Sequence, residues 1–114
     1  MPDCLFCRII AREIPATIVH ETPLTLAFRD VHPQAPTHVL VIPKEHVGSL
    51  MALTDQHDAL VVEMARAIRE VAAKEGLQEK GFRLVVNNGK DANQTVAHLH
   101  HHMLAGRRLG WPPG

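Results

Sequence analysis

From Gln94 to Leu104 the chain reads Gln-Thr-Val-Ala-His-Leu-His-His-His-Met-Leu, with His98, His100 and His102 at alternate positions of an otherwise apolar run. A β-strand points successive side chains to opposite faces. A strand here therefore sets three imidazoles on one face and Leu99, His101 and Met103 on the other. Three imidazoles on one rigid rail make a reaction site or a metal site.

Cys4 and Cys7 are the only cysteines and form a Cys-x-x-Cys pair. So short a loop makes a poor structural disulfide, and no apolar signal segment precedes the pair, which points to a reducing, cytoplasmic compartment. A thioredoxin-like redox motif would sit near a βαβ pattern, and none surrounds Cys4. Zinc is the expected partner, with two further ligands to be drawn from nine histidines.

With 114 residues, the chain fits a single domain, 1–114, that buries roughly 65% of its extended surface. Lysine plus arginine equals aspartate plus glutamate at 12 each, so neither nucleic acid nor an acidic membrane is the expected partner, and small-molecule chemistry is favoured. No apolar run reaches the ~18 residues of a membrane span.

The local pattern reads as α+β. Leu5 to Arg12 carries Phe6, Ile9 and Ile10 at helical spacing before Pro15, a short opening helix. Thr17 to Glu21 and Thr25 to Arg29 flank Thr22-Pro23 as a hairpin, and His38 to Ile42 is apolar enough for a buried strand. Asp55 to Lys74 places Leu60, Met64, Ile68 and Val71 or Ala72 on one stripe of a long helix closed by Gly76. Phe82 to Val86 and His98 to Leu104 complete five strands, with Asn87 to Asn93 a polar loop between them. Hairpin-type strands with segregated helices give an α+β domain.

At this point the residues resemble a known family. His98 to Leu104 is similar to the histidine-triad signature of the HIT superfamily. Leu26 to Asp30, Pro33 to His38, Val41 to Lys44, Val85 to Gly89 and the terminal Trp111-Pro112-Pro113-Gly114 resemble its Hint branch. The resemblance implies a five-stranded antiparallel sheet with one long and one or two short helices, paired in a homodimer as a ten-stranded sheet. It implies a nucleotide-binding hydrolase that cleaves purine nucleoside phosphoramidates, adenosine or guanosine monophosphate joined to an amine.

On that resemblance His100 is the nucleophile, His102 donates to phosphate, His38 orients the nucleophile, and Thr95 relays a proton to the leaving amine. A neutral imidazole can attack through one nitrogen while the other is held in a fixed tautomer. Asn87, Asn93 and Thr95 fall beside the phosphate, and Asp30 faces the ribose hydroxyls. Leu5, Phe6, Ile9, Phe28 and Val31 form the apolar slot for the purine. The bacterial variant with Cys-x-x-Cys implies a structural zinc on Cys4, Cys7, His46 and His98, leaving His100 and His102 free for chemistry.

Two other activities share these residues: hydrolysis of dinucleoside polyphosphates, and a nucleotide-binding adaptor with little turnover. Three positions depart from the family pattern. His101 stands where an apolar residue is usual, Ala97 where an aromatic is common, leaving space that His101 would fill, and Asn93 replaces a glycine while tolerating positive φ. Without motif support, His20, His32 and His57 read as surface residues.

Overall fold

Thr22 folds the first hairpin by accepting the backbone N–H groups of Leu24 and Thr25 on its hydroxyl, at 3.3 and 3.0 Å. The flanking strands are β1 (Ile18–Glu21) and β2 (Thr25–Arg29). β3 (Thr37–Pro43), β4 (Arg83–Val85) and β5 (His101–Ala105) follow, with α1 (Leu5–Ile10) ahead of the hairpin and α2 (Asp58–Lys74) between β3 and β4. In this computed structural model, which describes residues 3–114, the strands form one antiparallel sheet ordered β1-β2-β3-β5-β4.

β3 lies at the centre, paired with β2 from Thr25↔Pro43 to Arg29↔Val39 and with β5 from Thr37↔Ala105 to Val41↔His101. It is buried at every residue after Thr37, as its continuous apolar run requires. Alternation sorts the side chains into two cores. Ala27, Val39, Val41, Met103 and Ala105 pack beneath α2, whose buried stripe is Leu60, Met64, Ala67, Ile68, Val71 and Ala72. Leu26, Phe28, Leu40 and Ile42 face the other way and pack with Phe6 and Ile9 of α1. Met103 is fully buried, so Met103→Ala costs about 2–5 kcal/mol.

Several boundaries differ from the sequence pattern. The long helix begins at Asp58, because Asp55–His57 is a 3-10 turn closed by Thr54 and His57, each capping the other's backbone. A further 3-10 turn, Leu50–Ala52, has no counterpart in the sequence reading. α1 ends at Ile10 before Arg12, which takes a φ of 63°. β5 starts at His101, opposite Val41, rather than at His98, since the next hydrogen-bonded pair of the ladder would set Leu99 against Pro43, which has no N–H to give. The chain from His98 is held otherwise: the Leu99 N–H donates to the Val47 carbonyl at 2.7 Å.

Two of the histidines read as surface residues have structural partners. His20 is half-buried against α2, where Lys74 Nζ donates to its Nδ1 at 2.6 Å and ties the edge strand β1 to the helix, while Nε2 lies 2.7 Å from Glu70 without the alignment of a hydrogen bond. His57 lies 2.9 Å from Glu45. His32 is exposed. No helix among the described residues is long and apolar enough to cross a membrane.

Candidate functional site

His98, His100 and His102 do form a row, although only His102 belongs to the regular strand. Phe6 packs edge-on against His98 and His100, with centroids 5.8 and 5.1 Å away, and the His100 and His102 rings stand 5.0 Å apart. His98, His100 and His38 are all buried. Each imidazole then depends on its neighbours for its tautomer.

His100 Nδ1–H donates to the His98 carbonyl at 2.6 Å, so Nε2 carries a lone pair. The second chain runs the opposite way. The Gln34 N–H donates to His38 Nδ1 at 3.0 Å, His38 Nε2–H donates to His102 Nδ1 at 2.9 Å, and His102 keeps its proton on Nε2. Adjacent rings thus present a lone pair from His100 and an N–H from His102. Burial, and then the neighbouring His100 and His38, push His102 down to about 4; burial lowers His38 despite Asp30 nearby. Both are neutral at pH 7. The expected contact of His38 with the nucleophile is therefore replaced by one with His102, and His100 is oriented by main chain instead.

Asp30 Oδ1 accepts the His32 N–H at 2.8 Å, capping the turn, while Oδ2 stands 3.4 Å from His38 Nε2. Asp30, His38 and His102 lie close enough for three metal ligands. However, the two imidazole centroids are 5.2 Å apart, which is the N···N distance extended by both ring radii, so the nitrogens aim at each other. That is hydrogen-bond geometry, not convergence on a third atom.

Above this row opens a cleft of about 330 Å³. It brings together Leu5, Phe6, Ile9, Phe28, Asp30, Val31, Thr95, His100 and His102, all foreseen from the sequence. Leu40 and Val96 also line it, as do Ile14, Pro15 and Ala16. Strand alternation could have found Leu40, which pairs directly with His102. The loop residues carried no such signal. Asn87 and Asn93 do not line this cleft; Asn93, at a φ of 63°, borders an adjoining one with Thr95, Gly89 and Lys90. That loop is fixed by Gln94, which the sequence reading did not single out. Gln94 Nε2–H groups donate to the carbonyls of Gly48 and Val96 at 2.8 and 3.0 Å, and its Oε1 accepts the Gly89 N–H at 2.9 Å.

A second cluster lies behind the row. Cys4, Cys7, His46 and His98 each direct a ligand atom into one space, all within 4.8 Å of one another. The separations are 3.3 Å for Cys4 Sγ to His98 Nδ1, 3.3 Å for Cys7 Sγ to His46 Nδ1, 3.6 Å for Cys7 Sγ to His98 Nδ1 and 3.2 Å between the two Nδ1 atoms. Tetrahedral Cys2His2 coordination at zinc distances implies edges of roughly 3.3–3.8 Å, so the donor set fits. His98 Nε2–H donates to the Pro43 carbonyl at 2.9 Å, which turns the Nδ1 lone pair toward the sulfurs. Burial, then the hydrogen bond with Cys4, raise the Cys7 thiol above its ordinary value, a bias that a coordinated cation reverses.

His101 turns to the opposite side of the sheet, where its Nδ1 is buried with no hydrogen-bond partner. Ala97 is exposed beside Cys4, Leu5 and His46, so it opens no space beneath the sheet for His101.

The sequence matches the HIT domain over residues 11–109. It is 54% identical over 112 residues to an uncharacterized HIT-like protein of Synechococcus elongatus, covering 98% of this chain and 97% of that one. It is 44% identical over 112 residues to the 14 kDa zinc-binding protein of Zea mays, covering 96% and 87%. Its structure is similar to a HIT family hydrolase from Legionella pneumophila, with a TM-score of 0.95 and 46% identity over 98% of this chain and 100% of that one. The family match spans the histidine row and the whole sheet, and on this ground the chain belongs to the HIT family.

Proposed function

We propose that this protein is a hydrolase of purine nucleoside phosphoramidates, acting through a nucleotidyl-histidine intermediate. The observation that carries the reading is the opposed pair of tautomers: an imidazole lone pair on His100 beside an imidazole N–H on His102, at one end of an apolar cleft. The hydrolase name of the similar Legionella structure supports it.

The purine enters between Phe6, Ile9 and Phe28, with Leu5 and Val31 at the mouth, and the ribose hydroxyls meet Asp30 Oδ2. His100 Nε2 attacks the α-phosphorus while the bond from phosphorus to the amine nitrogen breaks. The amine nitrogen takes a proton that passes from solvent through the exposed Thr95 hydroxyl, which gives up one proton as it gains another, and leaves as the neutral amine. His102 Nε2–H donates to a non-bridging phosphate oxygen through the transition state, and His38 holds that donor in its tautomer. The Thr95 backbone, which borders both this cleft and the adjoining one, steadies the phosphate, with Asn93 next to it on the far side. Water then attacks the phosphorus of the nucleotidyl-His100, releasing the monophosphate and restoring the imidazole.

Cys4, Cys7, His46 and His98 hold a structural zinc, as the zinc-binding name of the maize relative suggests. A closed four-ligand shell supplies stability and no open position for substrate. The chain, 1–114, functions as one cytoplasmic domain and as a homodimer. The dimer is supported by exposed Val61 and Val62 on α2 and exposed Leu84 on β4, the edge strand at the opposite side of the sheet from β1.

The test is release of a fluorescent amine from an adenosine phosphoramidate by wild type and His100→Ala. Turnover that falls by several orders of magnitude in a folded variant that still binds adenosine monophosphate supports the reading. A wild type that leaves the phosphoramidate intact but cleaves a dinucleoside polyphosphate redirects it, and one that binds nucleotide without cleaving either makes the protein an adaptor.

A further inference from the structure

α1 serves two sites at once. Cys4 caps the helix and Cys7 lies within it, both reaching the metal cluster, while Leu5, Phe6 and Ile9 line the cleft. Phe6 lies between the two cysteines in sequence and between the two sites in space. Its ring packs edge-on against Phe28 at 5.5 Å, His98 at 5.8 Å and His100 at 5.1 Å. His98 joins the sites a second time, with its side chain in the cluster and its carbonyl accepting from His100 at 2.6 Å.

A helix of 6 residues does not persist through its own hydrogen bonds, because isolated helices below ~12–15 residues are marginal. The position of α1 is therefore set by what its side chains dock on. One set of those contacts is the cysteine-histidine cluster, and another is the wall of the cleft. Anything that fixes Cys4 and Cys7 also fixes Leu5, Phe6 and Ile9, lowering the ordering cost of a ligand that packs on them.

We infer that metal binding at Cys4, Cys7, His46 and His98 and purine nucleotide binding in the cleft are positively coupled, with Phe6 as the positioning residue that carries the coupling. The inference rests on the zinc and nucleotide reading proposed above. Coupling is reciprocal: the factor by which zinc tightens nucleotide binding equals the factor by which nucleotide tightens zinc binding. A value of about tenfold is expected from the usual range.

The experiment uses the full chain, zinc and adenosine monophosphate. Zinc affinity is measured by chelator competition with and without saturating nucleotide, and nucleotide affinity by calorimetry on zinc-loaded and stripped protein. Both ratios are expected to agree, near tenfold, and Phe6→Leu is expected to bring both toward one while zinc still binds. Ratios within twofold of one, with both ligands binding, overturn the coupling. An undiminished ratio in folded Phe6→Leu overturns the role of Phe6. Far-UV circular dichroism of the stripped chain is expected to retain the fold, and global unfolding would overturn a coupling carried by α1. If zinc fails to bind, the metal reading fails; if nucleotide binds neither form, the nucleotide reading fails. Either failure removes the inference, and the separate isotherms tell them apart.

Discussion

His38 and His102 face each other across β3 and β5 through one hydrogen bond, 2.9 Å from Nε2 to Nδ1, and neither ring carries a charge at neutral pH. The proton on the outer nitrogen of His102 is thus determined by a residue on another strand, itself oriented by the Gln34 N–H.

Substitution should separate the two roles. On the proposed mechanism, His102→Ala removes a donor to the transition state and is expected to lower kcat by about 10²–10³. His38→Ala leaves the donor in place with its tautomer free, and is expected to cost less, about 10- to 100-fold. His38→Gln, whose amide can still donate to His102 Nδ1, should recover part of the loss. Single-turnover rates at saturating phosphoramidate check the order.

Stability should fall with acid. His102 is held at about 4, well below the ordinary histidine value of 6.5, and His38 is lowered in the same direction. Between those limits the unfolded chain binds protons that the folded chain excludes, so stability rises with pH there. Thermal melts are expected to show a Tm that is highest above about pH 6.5, declines toward pH 4 and loses this dependence below it. His102→Asn should flatten part of that slope.

Removing the metal ligands should weaken the chain as a whole. Cys4→Ser and Cys7→Ser each leave three donors of the set, and the loss is expected to lower Tm by several degrees in zinc-containing buffer and by much less after chelation. Differential scanning calorimetry with and without chelator checks both arms.

Gly106 supports the turn that follows β5. Its φ is +94°, and a Cβ there would stand 2.8 Å from Pro36 Cβ. Gly106→Ala is expected to destabilise by about 1–3 kcal/mol, read as a shift in the denaturant midpoint, because strain and crowding act together.

The features most legible in the sequence are those whose cause is local. The spacing of His98, His100 and His102 predicted a row of imidazoles, the apolar run of β3 predicted a buried strand, and the stripe from Leu60 to Val71 predicted the covering helix. Cys4 and Cys7 predicted a metal pair, and only the family resemblance supplied His46 and His98, which the fold brings to them. What the pattern could not convey depends on partners distant in sequence. β5 starts late because Pro43 on another strand lacks an N–H. Gln94 matters through the Gly48 carbonyl, and His38 reaches His102 rather than His100, a choice made by register.

The sorting of β2, β3 and β5 into odd positions beneath α2 and even positions beside α1 has a consequence for how such a chain can diverge. Changes of volume in the α2 stripe are separated by the sheet from His38, His100 and His102, so their effects should add to changes near the chemistry with little interaction, whereas Val39 and Met103, chain neighbours of His38 and His102, should couple to it. One side can drift in sequence to suit temperature or solubility while the other stays bound by geometry. The sheet then divides a chain of 114 residues into a face that answers mainly for stability and a face that answers for chemistry.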